Sequence, residues 1–93
     1  MYLDEIADQI AAELDPRRLP DEGNVDRLLR AYAVLANTKG HEATLEDVHD
    51  VWAAWMAEVD PDHPALKPFA ELNESTRQED EPFLRAVLAV AGR

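Results

Sequence analysis

The sequence contains no cysteine. Disulfides, thiolate metal sites and cysteine nucleophiles are thereby excluded, and a reducing cytoplasm is the expected compartment. Only three glycines occur, Gly23, Gly40 and Gly92, and each stands alone. A glycine-rich phosphate cradle, a P-loop or a dinucleotide fingerprint therefore cannot be built, and no serine nucleophile elbow is present. Long apolar runs are missing too: the longest uncharged ones, around 31–36 and 86–91, are far too short to cross a bilayer. Tyr2–Leu14 carries Asp4, Glu5, Asp8 and Glu13 where a signal peptide needs an uncharged apolar run, so no secretory leader is expected. Basic residues are scarce. Nine Lys and Arg face twenty Asp and Glu, for a net charge of −11.

That charge repels phosphate backbones and anionic lipid at long range, so direct nucleic-acid and membrane partners are not expected. The acids run along the whole chain with Arg17, Arg18, Arg27, Arg30, Arg77 and Arg85 between them. A solubilising surface is the simpler reading of this pattern, and a DNA-mimicking acidic face the sharper one. With 93 residues the chain forms one domain, 1–93, burying roughly 60–65% of its unfolded surface. A hydrophobic share of 46% is enough for one real core.

Periodicity predicts an all-α fold of four to five short helices with a long Pro-rich irregular crossing. In the first helix, about Tyr2–Leu14, Leu3, Ile6, Ala7, Ile10 and Leu14 recur at three- and four-residue steps. Pro16 and Pro20 then bracket a loop over Asp15–Gly23. Asn24 is placed to cap a second helix bearing Val25, Leu28, Leu29, Tyr32, Leu35 and Ala36 on one face, closed by Lys39-Gly40. Thr44 and Asp47 have capping-box spacing before a third helix, about Leu45–Val59. Its stripe is Leu45, Val48, Trp52, Trp55, Met56 and Val59, with His49 on the margin. One tryptophan is expected to be buried and the other partly exposed.

Pro61, Pro64 and Pro68 each fix φ and remove a backbone donor. An extended, polyproline-like connection is expected over Asp60–Pro68, with Leu66 and Phe69 folded back over the third helix. A last helical region begins near Asn73 or Ser75, with Ser75 and Gln78 in capping-box spacing. Pro82 either kinks it or sits in the first turn of a separate final helix carrying Phe83, Leu84, Val87, Leu88 and Ala91.

No residue set specifies a reaction. Glu46 and His49 form half of a Glu-x-x-His di-metal arrangement, but no second copy occurs. His41 and His63 fall in loops. Asp60-Pro61-Asp62 has the look of a calcium loop, yet its sixth position is Ala65 where an EF-hand needs glycine. Neither a metal nor another cofactor is expected, and the chain does not read as an enzyme.

The order His49-x-x-Trp52, then His63-Pro64-x-Leu66-x-Pro68-Phe69-x-x-Leu72, then an acidic helix with Glu79-Asp80, resembles the RyR domain, the small helical repeat of ryanodine-receptor channels and assorted bacterial and phage proteins. The resemblance spans about Val48–Ala86, preceded by two amphipathic helices. The whole chain is also similar to short proteins of actinobacteria and their phages, as its Ala- and Arg-rich composition suits. The family's glycine-containing insertion after the tryptophan helix is replaced here by Ala53–Asp62. The resemblance implies a module that binds a protein or a small ligand.

Three readings follow. The first is a non-catalytic protein-interaction module whose partner is another protein, a host protein if the chain is phage-encoded. The second is a small-molecule, nucleotide-like ligand site drawing on Trp52, His63, Lys67 and Phe69. The third is an acidic DNA mimic. Trp55, Asp60, Asp62, His63, Lys67 and Phe69 are the expected ligand- or partner-binding residues, no catalytic residue is assigned, and pairing into a homodimer is compatible with so small a domain.

Overall fold

The computed structural model describes residues 2–21 and 23–92; Met1, Glu22 (inside the expected Asp15–Gly23 loop) and Arg93 lie outside the described residues. Five α-helices are described, with a single 3-10 turn in each of the first three connections and no strand among the described residues: α1 (Tyr2–Ala12), α2 (Val25–Thr38), α3 (Leu45–Val59), α4 (Glu74–Gln78) and α5 (Glu81–Ala91). The fold is all-α. Its boundaries follow local chemistry. Asn24 accepts the Arg27 backbone N–H at the start of α2. Thr44 and Asp47 complete both arms of the capping box at α3. Gly40, at φ +55°, takes the left-handed turn that ends α2.

Helix α2 is the central element and packs against α1, α3 and α5. It contributes Leu28, Leu29, Tyr32, Ala33, Leu35 and Ala36 to the core. Ile10 of α1, Val48 and Met56 of α3 and Val87 of α5 meet that face fully buried. Each such aliphatic side chain stabilises the fold by about 1.5–3 kcal/mol relative to exposure. The radius of gyration, 12.4 Å, is what close packing of a chain this long requires, about 12 Å.

Two sequence expectations are corrected by the backbone. The Asp60–Pro68 crossing is irregular but not extended. It folds as consecutive tight turns, with the His63 N–H bonded to the Asp60 carbonyl and the Leu66 N–H to the His63 carbonyl. Pro61 and Pro64 each occupy the second position of one of these turns, where their fixed φ is favoured. In the last region, the cap of α4 is Asn73, which accepts the Thr76 N–H at 2.8 Å, rather than Ser75. Of the two readings of Pro82, the separate helix is observed: Glu79 and Asp80 form a turn, and α5 restarts with Pro82 in its first turn.

Candidate ligand cleft

The two tryptophans, three residues apart on α3, project about 60° apart around the helix axis and meet different neighbours. Trp55 is 7% exposed, and its indole N–H donates to the Asn24 carbonyl at 2.8 Å. That bond reaches the turn before α2, where Gly23 adopts φ +77°. A Cβ at Gly23 would come within 2.6 Å of Val59 Cγ2 and 2.8 Å of the Trp55 ring, so only glycine fits there. Trp52 is the half-buried one. The expectation of one buried and one accessible tryptophan is met, but the accessible ring is Trp52, and Trp55 serves as a core strut.

Trp52 forms part of a cleft of about 390 Å³, within the range of small-ligand sites. Four segments build it. The loop after α1 supplies Arg17, Arg18 and Pro20; α3 supplies His49 and Trp52; the crossing supplies His63 and Ala65; the α4–α5 junction supplies Thr76, Glu79, Asp80 and Phe83. Two of these segments, the first loop and the crossing, are the proline-bearing irregular stretches of the chain.

His49 lies at the centre of this arrangement and is only 2% exposed. One ring nitrogen, Nε2, is 2.7 Å from the Lys67 carbonyl oxygen, and the other, Nδ1, faces Asp80 Oδ2 at 3.9 Å. Its ring stacks on Trp52 with centroids 5.8 Å apart and leans on Phe69 at 6.2 Å. Asp80 precedes α5 yet does not cap it; its carboxyl, 15% exposed, turns to His49 instead. Burial pushes that carboxyl up to about 6, with the charge of Glu79 adding and that of His49 opposing. Beneath it, the Tyr32 hydroxyl is raised far above its ordinary value, first by burial and then by the Asp80 charge.

His63 stands edge-on to Trp52 at 5.0 Å. Its Nδ1 accepts the Ala65 backbone N–H at 3.1 Å, which assigns the remaining ring proton to Nε2 and gives the cleft a hydrogen-bond donor. Arg17 is forked onto Asp15, with Nη2 2.9 Å from Oδ2, and this guanidinium holds the Asp15 carboxyl below the usual carboxylate range. Arg18 is left as the cation of the cleft that is not offset by such a fork.

Of the residues expected to bind, His63 lines the cleft, as does Trp52 of the small-ligand reading. Asp60 caps the end of α3 and its carboxylate accepts the Asp62 N–H, an exposed turn. Lys67 contributes its carbonyl to His49 while its side chain is exposed. Phe69 is half-buried, with the Arg77 guanidinium 5.0 Å above its ring and bonded to the Phe69 and Ala70 carbonyls. Trp55, nearly buried, does not line this cleft but borders a separate groove with Val34, Val51 and Ala54. Arg17, Arg18, His49, Thr76 and Asp80 were not expected at the site. The signals present for them were the dibasic pair between two prolines, and a histidine on an otherwise apolar stripe with an acidic turn later in the chain.

Among the described residues, no group of three or more His, Asp or Glu side chains is placed to hold a metal ion. No described helix is long and apolar enough to cross a membrane. No curated protein and no solved structure matches the chain. Residues 1–92, from α1 through the end of α5, match the model of DUF7701, a domain of unknown function, and the chain belongs to that family.

Proposed function

We propose that the protein is a non-catalytic binding module whose cleft receives a small nucleotide-like ligand: a planar ring against Trp52 and an anionic group at Arg18. The observation that carries this reading is the meeting, in one cleft, of a partly exposed indole, an oriented His63 donor and a cation, on a chain of charge −11 that otherwise disfavours anions. Stacking on an aromatic face contributes about 1–3 kcal/mol per base, enough to matter for a weak, specific ligand. Polar groups of the α4–α5 junction, Thr76 and the Asp80 carboxyl, suit the edge of a heteroaromatic ring. The test is a nucleotide panel read by tryptophan fluorescence and melting temperature. Quenching by at least one nucleotide, lost in Trp52→Ala and Arg18→Ala, is expected; an unchanged signal across the panel overturns the reading.

A second reading, docking of a partner protein, is favoured by a separate groove of about 510 Å³ between α2 and α3. Ala31, Val34, Val51 and Ala54 line it, and Val34, at 45% exposure, is one of the exposed large apolar side chains. Asp50 and Glu58 stand at its edge against a single Arg27, which is itself 3.3 Å from Glu58. The occupant that this chemistry fits is a basic amphipathic helix laid along the groove. A photo-crosslinker at Val34 should attach to a cationic helical segment of the partner, and Val34→Glu should abolish the product. Attachment to an acidic segment would reject this occupant.

A further inference from the structure

We infer that the buried His49–Asp80 pair is a proton-operated switch of the cleft's charge: one proton between the two side chains leaves the wall beside Trp52 neutral, and its loss makes that wall anionic. The inference rests on the reading of this cleft as the ligand site, and adds its regulation.

The argument begins with the tautomer. A carbonyl oxygen only accepts, so the 2.7 Å contact to Lys67 requires the hydrogen on Nε2 of His49. In the neutral ring the lone pair then lies on Nδ1, 3.9 Å from Asp80 Oδ2. Two acceptors facing each other in a site this enclosed repel unless a proton lies between them, either as imidazolium facing carboxylate or as imidazole facing carboxylic acid. Both forms sum to zero charge. Whichever side chain holds the proton, its departure changes the charge of this wall by one.

The surroundings decide what that proton controls. From the first loop, Arg17 is offset by Asp15, leaving Arg18 as the cation. From the crossing come His63, whose Nδ1 is engaged by Ala65, and the Lys67 carbonyl. From the α4–α5 junction, Glu79 supplies one negative charge, while Arg77 is committed to the Phe69 and Ala70 carbonyls and Glu81 lies near Arg85 at 3.6 Å. From α2, the Tyr32 hydroxyl feels the Asp80 charge but stays protonated. With the proton present, Arg18 and Glu79 balance; without it, the cleft carries one net negative charge. The elevation of the Asp80 carboxyl to about 6 agrees with this, burial being the largest cause. Because His49 stacks on Trp52, the ring that would receive a base also senses the proton.

The test has a ligand-free arm and a ligand arm. In ¹⁵N–¹H spectra of the full chain between pH 5 and 8, the Trp52 indole N–H and the His49 ring should move with one shared midpoint. Asp80→Asn, whose amide can donate to Nδ1, should abolish that shared transition, and Glu79→Gln should lower its midpoint while preserving it. Calorimetry with adenosine monophosphate should give affinity about tenfold higher at pH 5.5 than at pH 7.5, with proton uptake, and no such difference in Asp80→Asn. Signals that stay flat, that titrate identically in Asp80→Asn, or whose midpoint is unmoved by Glu79→Gln overturn the switch. Equal affinity at the two pH values overturns it while the ligand reading stands. Absence of nucleotide binding with the shared transition intact removes the ligand reading and leaves the switch.

Discussion

The two faces of α3 solve the same packing problem in opposite ways. On one face Trp55 is sealed against the Gly23–Asn24 turn, its single polar atom bonded to a backbone carbonyl and its ring touching a glycine that admits no side chain. On the other, Trp52 rests on a buried histidine, half-open to a cleft whose walls come from two proline-held loops. The same residue type is a strut in one place and a platform in the other. The difference lies in what each indole's neighbours require: the first set is satisfied internally, while the second gathers charges and donors around open space.

The sharpest way to break this contrast is to truncate both rings. Trp55→Ala should cost about 3–5 kcal/mol by chemical denaturation, because it leaves a cavity and removes the indole bond to the Asn24 carbonyl. Trp52→Ala should cost less, about 1–2 kcal/mol, since part of its surface is already wet, while removing nucleotide-induced quenching. Equal losses in the two variants would erase the distinction. Next in size, His49→Leu should destabilise by about 2–3 kcal/mol through the unpaired Lys67 carbonyl and the unpartnered Asp80 carboxyl. Gly23→Ala should cost about 2 kcal/mol, from the positive φ and the contacts with Val59 and Trp55.

The smallest effect has a sign that separates the two regions. The Asp80 carboxyl takes up its proton near 6 in the folded chain, against about 3.9 when unfolded. Its protonated form thus favours the fold fully below about pH 4, and that contribution is lost as pH rises through 6. Asp80→Asn should therefore raise stability at pH 7 by about 1 kcal/mol, a figure discounted for partial exposure, and flatten the curve between pH 4 and 7. Asp47 on the capping side behaves oppositely. Burial works against its charge, but the Lys39 ammonium and the Thr44 bonds hold the carboxyl below its ordinary range. Its contribution is present above about pH 4 and is lost as pH falls below that, so Asp47→Asn should destabilise at pH 7 and lose part of the acid sensitivity. Thermal melts of both variants across pH check the pair of signs.

Much of the architecture was legible in the chain. The stripe of α2, the capping box of α3 and the glycine at Gly40 are local signals, and each placed its element within a residue or two. The crossing was half legible: its prolines marked an irregular path, but whether they extend or turn depends on the bonds between Asp60, His63 and Leu66, which no periodicity carries. The cleft was least legible. Arg18, His49 and the stretch 76–80 lie about thirty residues from one another, and only Trp52 and His63 could be named, from the aromatic stripe and the His-Pro context.

By itself, the sequence determined the helices, their apolar faces and the absence of cysteine and glycine-rich chemistry, because these depend on residue type and spacing over a few turns. Only the tertiary structure decided which tryptophan is open and that a histidine on an apolar stripe meets an aspartate thirty-one positions later. Those outcomes depend on how α3 is rotated against α2 and on where two proline-bearing loops come to rest. That rotation is set by the summed packing of all five helices, to which no single stretch of the chain holds the key.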